Sequence, residues 1–265
     1  MLILLPPSEG KAFPGDGPAL DPASLSLPEL ADARESVMTA LEKVCARPLE
    51  EARTVLGLTP RQAAAVQRNR ELRTAATLRA ADLYTGVLYD VLRLPELLAG
   101  PSAALVAESV LVFSGLWGVL RPVDAVPPYR LAMNVSLPPL GPLGAFWRPR
   151  LTETLTTLAE GRLVVDCRST AYATAFRPGP GVAARTATVR VLRQTVVDGV
   201  PRRSAVSHLA KAVRGAVAHS LLAAGATPRT PGELATVLAD LGHRVELTAP
   251  ARGGGPHVLN VIVPG

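Results

Sequence analysis

Directly after the apolar opening MLILL stands PPSEGK, which sets Ser8, Glu9 and Lys11 close behind two stiffening prolines. A lysine reaching over a tight turn can hold an anion. The single glycine before Lys11 falls short of the GxxxxGK[ST] spacing of a nucleotide P-loop. Three further polar clusters follow apolar runs in the same way. SGLWGVLRPVDAVPPYRL (114–131) opens on Ser114 and carries Arg121, Tyr129 and Arg130 in a frame of glycines and prolines. Forked guanidinium donors suit phosphate or carboxylate, and a backbone held by Gly and Pro lowers the ordering cost of gripping one. VVDCRSTAY brings Asp166, Ser169 and Tyr172, and SHLAKAVRG brings Ser207, Lys211 and Arg214. Those last three share one helical face at spacings of four and three, with His208 beside it.

Each cluster also has a plainer reading: a stiff turn, a knot whose arginines cap carbonyls, a solvated helix face. The sharper reading makes them one anion or substrate site. In it Lys211, its charge disfavoured by Arg214, and Asp166 are the candidate proton-transfer groups. A Tyr or Trp would stack on the ligand, and Trp117 and Tyr129 each join an apolar face to a polar tip. HExxH, GxSxG, CxxC and GxGxxG are all missing, and His208, His219, His243 and His257 form no ligand pattern. No metal, flavin or nicotinamide cofactor is expected.

The clusters matter because strand C-terminal ends open onto the ligand crevice in α/β folds. Residues 1–5, 109–115 and 161–169 read as buried strands and 186–197 as an alternating one; 245–249 with 258–263 read as a terminal hairpin. Helical spacing runs from Pro28 to about Val55, with Leu30, Val37, Leu41 and Val44 on one face. GLTPRQ then breaks and restarts it: Gly57 suits a helix C′ position, Thr59 an N-cap and Pro60 the first turn, and the second helix runs to about Ala81. Further helices are expected after Gly86, over 204–225 and over 230–242, and 12–28 is a loop. The expectation is a single α/β domain over 1–265, a mixed sheet flanked by helices with an N-terminal helical elaboration at 28–82.

Composition supports this. Hydrophobic residues make up 48% of the 265, ample for a large core, while aromatics at 4% leave that core mostly aliphatic. The net charge of +6 suits an anionic partner without naming it. Cys45 and Cys167 stand far apart, which argues for a reducing compartment and against a disulfide framework. The opening residues lack a basic n-region, and no run approaches the roughly 20 apolar residues of a membrane helix, so a cytoplasmic protein is expected.

MLILLPPSEGK, YTG (84–86), SGLWGVLRPVDAVPPYRLAM, FW (146–147), VVDCRSTAY and SHLAKAVRG occur in this order along the whole chain, and by them it resembles the YaaA family of peroxide stress response proteins. The resemblance implies a compact α/β fold with a positively charged cleft, a cytosolic location, protection against peroxide through limiting free iron, and binding of DNA including branched forms. It ties DNA binding to a helix-hairpin-helix element. The matching segment here is VLGLTPRQAAAV, with Gly57 and Thr59 in the turn and Arg61, Arg68 and Arg70 beside it. A second glycine is usual where this chain has Thr59. Two functions therefore stand: a DNA-associated stress protein gripping phosphates, or an enzyme on a nucleotide or nucleobase held by the same cations.

Overall fold

The computed structural model describes residues 1–206, 208–250 and 254–265, and its centre is an eight-stranded mixed sheet. In chain order the strands are β1 (Leu2–Leu5), β2 (Val110–Ser114), β3 (Gly118–Leu120), β4 (Val164–Asp166), β5 (Thr186–Val197), β6 (Val200–Ala205), β7 (Val245–Thr248) and β8 (His257–Pro264). They lie side by side as β7-β8-β5-β4-β1-β2-β3, with β6 paired to β5. Strands β2, β1, β4, β5 and β8 are parallel, and β3, β6 and β7 are antiparallel to their neighbours. Every residue of β1, β2 and β4 is buried, the burial expected of central parallel strands covered on both faces.

The register places one feature that the periodicity alone did not reveal. Along β5, residues 187–194 pair with β8, 186–188 with β4 and 192–197 with β6. Both β4 and β6 must therefore lie on the edge of β5 away from β8. The β5–β6 hairpin thus continues past the C-terminal end of β4 and stands as a wall above it. Asp198 and Gly199, both at positive φ, make its two-residue turn.

The helical segment is more broken than its spacing predicts. Helix α1 (Ala31–Cys45) buries Val37, Leu41 and Val44 as expected, but Pro48 ends that run, and α2 (Leu49–Leu56) starts anew. Helix α3 (Ala64–Arg70) stops well before Ala81. There the loop 11–19 takes over: Thr77 donates from both N–H and hydroxyl to the Pro18 carbonyl, and Gly17 N–H donates to Thr77 O. Those tertiary bonds hold 76–79 extended against its helical spacing, before α4 (Ala80–Leu83).

Beyond the YTG turn come α5 (Val87–Leu92), α6 (Leu94–Ala99) and α7 (Ala103–Ser109), which leads into β2. Helix α8 (Leu143–Leu158) carries Trp147, whose Nε1 donates to Gly115 O at 2.9 Å. A Cβ on Gly118, at φ +72°, would lie 2.7 Å from that indole ring. The glycines of the 114–131 stretch are thus packing requirements. Short helices α9 (Thr170–Ala173) and α10 (Pro180–Ala183) precede β5. Helix α11 (His208–Ala223) packs on α5, and α12 (Pro231–Asp240) is capped by Thr230, whose hydroxyl accepts from Glu233 N–H.

Candidate functional site

Lys11 is the centre of the strongest convergence. Its backbone bridges to Tyr84, and Thr85 N–H donates to Gly10 O. The two loops meet through glycine: a Cβ on Gly10 would sit 2.9 Å from Thr85 Oγ1, and one on Gly86 3.2 Å from Ser8 Oγ. Lys11 Nζ donates to Ser8 O at 2.9 Å and rests 4.4 Å from the Tyr129 ring centroid and 5.3 Å from that of Tyr84. The Lys11 pKa is lowered to about 8, mainly by desolvation on burial; Glu9 opposes the shift, and Arg130 and Arg68 act with it.

Beneath the ammonium runs a directed chain of hydroxyls. Ser114 Oγ accepts from Leu116 N–H at 3.1 Å and Trp117 N–H at 2.9 Å, which occupies both its lone pairs. Its own proton must then go to the Tyr129 oxygen at 2.6 Å, and Tyr129 must donate to Tyr84 at 2.8 Å. The relay ends on the Tyr84 hydroxyl, which also lies close to the Ser114 side chain. Burial raises the pKa of Tyr84, Tyr89, Tyr129 and Tyr172, so all four stay protonated at neutral pH. They act on one another's titration, which gathers every tyrosine of the chain around this point.

Arg130 enters from the next segment. Asn69 of α3 clamps its backbone, accepting from Arg130 N–H and donating to Arg130 O, both at 2.9 Å. The guanidinium faces Glu9, 3.0 Å from Oε2. The neighbouring residue of α3, Arg68, lies over the ring of Phe13. Tyr172 belongs to the same edge: Glu9 and Arg130 both act on its hydroxyl. Ser169 stands at the head of α9 after β4, and its carbonyl accepts from Tyr172 and Ala173 N–H. Ser8, Ser114 and Ser169 thus follow three adjacent parallel strands at their C-terminal ends, where such folds place ligands.

Other residues singled out from the sequence lie elsewhere. Arg121 donates from Nη1 to the carbonyls of Ala107 and Glu108, capping the end of α7 where β2 begins, at the opposite end of the sheet. Asp166 is engaged by Arg168, which donates Nε to Oδ1 at 2.9 Å and Nη2 to Oδ2 at 2.7 Å. Arg168 is 1% exposed in its side chain and also donates to Phe176 O. The pair gives each carboxylate oxygen of Asp166 an arginine donor. Trp117 and Tyr129 are both buried, edge to face with each other.

Helix α11 advances alongside α5: a Cβ on Gly215 would lie 2.3 Å from Leu88 O, and His219 Nδ1 is 2.9 Å from Leu92 O. Lys211, one turn earlier and exposed, therefore sits toward the Gly86 end of α5, at the edge that carries Lys11. Arg214 reaches Val189 O from Nη2 at 3.3 Å, and its buried Nε has no partner. Among the described residues neither Lys211 nor Arg214 forms an ion pair. Ser207 lies outside the described residues.

At 57–62 a glycine ends α2 and a capping box opens the next helical turn. Gly57 adopts φ +63°, and Thr59 N–H donates to Gln62 Oε1 at 2.9 Å. Gly57, Leu58 and Gln62 N–H donate to Thr54 O, Arg53 O and Thr59 O. These backbone donors are satisfied inside the turn, which leaves the exposed Arg61 side chain and the inward Arg68 as its charged contributions.

Sequence reasoning passed over Tyr84, Asn69 and Phe13 as site residues. The signal available was scarcity: four tyrosines in 265 residues, one of them in YTG. Burial raises the Cys45 and Cys167 thiols to about 11 and about 12, so neither supplies much thiolate at neutral pH. Among the described residues no group of three or more His, Cys, Asp and Glu could hold a metal, and no helix is long and apolar enough to cross a membrane.

Comparison with known proteins agrees with the motif order. A UPF0246 protein of Streptomyces coelicolor is 51% identical over 263 residues, covering 99% of this chain and 98% of its own. A UPF0246 protein of Corynebacterium efficiens is 37% identical, covering 93% and 95%. The family profile described as "Peroxide stress protein YaaA" matches residues 1–246, and the chain belongs to that family.

Proposed function

We propose that this protein serves in the peroxide stress response by binding the phosphates of DNA in the cleft around Lys11. The observation that carries the reading is the convergence of Lys11, Arg68 and Arg130 on one sheet edge, with Glu9 as the carboxylate set against Lys11 and Arg130. In this reading Lys211 and Arg214 of α11 supply two further cations, and the β5–β6 hairpin lengthens the edge. A narrow site for one phosphate needs fewer charges than this. The iron-linked protection that the family resemblance implies fits the same reading, because a protein covering DNA phosphates competes with metal cations for them.

Anisotropy of labelled duplex and junction DNA across a salt series tests this. Five cations on phosphates give a log–log slope of about −4.5, at roughly −0.9 per contact. A flat response, or Lys11→Met binding as wild type, rejects the reading.

A second reading rests on a different observation: an amine with a pKa of about 8 over the ring of Tyr84, whose hydroxyl ends the relay, is also the equipment of proton transfer on a bound nucleotide. A mononucleotide at 100 times its dissociation constant adds about 2.7 kcal/mol of stability. Thermal shift with mononucleotides therefore separates the two readings.

A further inference from the structure

Of the ten aromatic side chains, Phe13 alone stands mainly in water, at 64% exposure. The other nine are buried or half-buried. An exposed phenylalanine on a loose loop needs no explanation, but this loop is fixed on both sides. Ahead of Phe13, Lys11 bridges to Tyr84 and Ala12 N–H donates to Leu83 O at 2.8 Å. Behind it, Gly17 and Thr77 exchange backbone bonds with their neighbours and Ala19 bridges to Ala76. Gly15 passes so close that a Cβ would lie 2.4 Å from Ala76 O. A segment this constrained holds its aromatic ring out at a cost in apolar hydration that an internal rotation of the loop does not relieve.

The ring is also placed with respect to charge. The Arg68 guanidinium lies over it, 5.5 Å from the centroid, and the same guanidinium acts on Lys11 two residues along the chain. A phosphate between Lys11, Arg68 and Arg130 would therefore bring whatever is attached to it to the Phe13 ring, one face of which Arg68 covers. The ligand chemistry that fits is an anion bearing a flat apolar ring.

We propose that Phe13 is a stacking platform for an unpaired nucleobase whose phosphate sits in the Lys11 cleft. This rests on the phosphate-binding reading above and sharpens it. Inside a duplex both faces of a base are covered by its neighbours, so a protein ring stacks on bases that are single-stranded, bulged or at a junction. Pre-fixing the loop removes the ordering cost that a mobile aromatic would meet on binding.

The test uses the whole chain and three labelled probes of equal length: a base-bearing single strand, an abasic strand with the same phosphates, and a blunt duplex. Phe13→Ala is expected to weaken the base-bearing strand by about 5- to 150-fold, the range for loss of one base–aromatic stack, and to leave the abasic strand unchanged. Phe13→Trp is expected to retain binding and to show indole quenching by the base-bearing strand alone. Unchanged melting of both variants shows that the fold is intact. Equal loss on both strands, or loss on neither, overturns the stacking proposal while salt-dependent binding of the abasic strand leaves the phosphate reading standing. Failure of the wild-type chain to bind any probe removes both.

Discussion

The loops after β1 and β4 leave adjacent parallel strands at the same edge of the sheet, yet they use their charges in opposite ways. After β4, Asp166 and Arg168 satisfy each other with two side-chain bonds, and the arginine spends its remaining donors on carbonyls. After β1, Lys11 makes one bond to a carbonyl, sits on two tyrosine faces and has two arginines nearby. A buried guanidinium whose three nitrogens all find acceptors is part of the framework. A cation with fewer partners than donors keeps donors free for an anion. The contrast shows that position after a strand is not enough to identify a site; the saturation of the hydrogen bonds decides it.

The largest effect should come from breaking the saturated side. Asp166→Ala leaves Arg168 buried without its carboxylate and should cost about 3–5 kcal/mol in a denaturant melt. A small loss would mean that Arg168 finds water, and the distinction between the loops would weaken. Next, Gly215→Ala forces a Cβ onto Leu88 O and should cost about 1–3 kcal/mol, prising α11 from α5. If Lys211 and Arg214 belong to the cleft through that contact, DNA affinity should fall as well.

Lys11→Met tests the unsaturated side. Anion binding should drop at least tenfold, about 1.4 kcal/mol, while stability at pH 7 should hold or rise. The sign follows from linkage: the folded pKa of about 8 lies below the usual 10.5, so the unfolded chain binds more protons between them. The cost of the buried ammonium is therefore full below pH 8 and is relieved as pH rises toward 10.5. Wild type should gain stability relative to Lys11→Met across that window, and its anion affinity should decline as pH passes through about 8. The smallest expected change is Glu9→Gln, which removes the carboxylate that Arg130 already faces. Anion binding should tighten about two- to fivefold, the scale of one exposed ion pair. No change would mean that Arg130 is held by its backbone clamp alone.

Much of the scaffold was legible in local pattern. The apolar runs of β1, β2 and β4 and the alternation of 186–197 gave the central strands, and Gly57 with Pro60 gave the helix break. Segment 71–81 was not legible, because bonds to Pro18 and Gly17 overrule its helical spacing. The candidate site was legible in part. Ser8, Lys11, Ser114, Tyr129, Arg130, Ser169 and Tyr172 do gather at one edge, but Arg121, in the same run as Arg130, caps a helix at the other end. Nothing in the spacing of two arginines nine residues apart shows that the chain reverses between them at Asp124, whose carboxylate accepts from Arg121 N–H.

By itself the sequence determined which stretches must be buried, where helices cannot continue, and which residue types were available to meet an anion, since these depend on neighbours a few positions away. Only the tertiary structure decided which cations find carboxylates and which do not. Pairing is set by strand order and register across separations such as that between Glu9 and Arg130, and electrostatic fate follows from those distances and the water excluded between them.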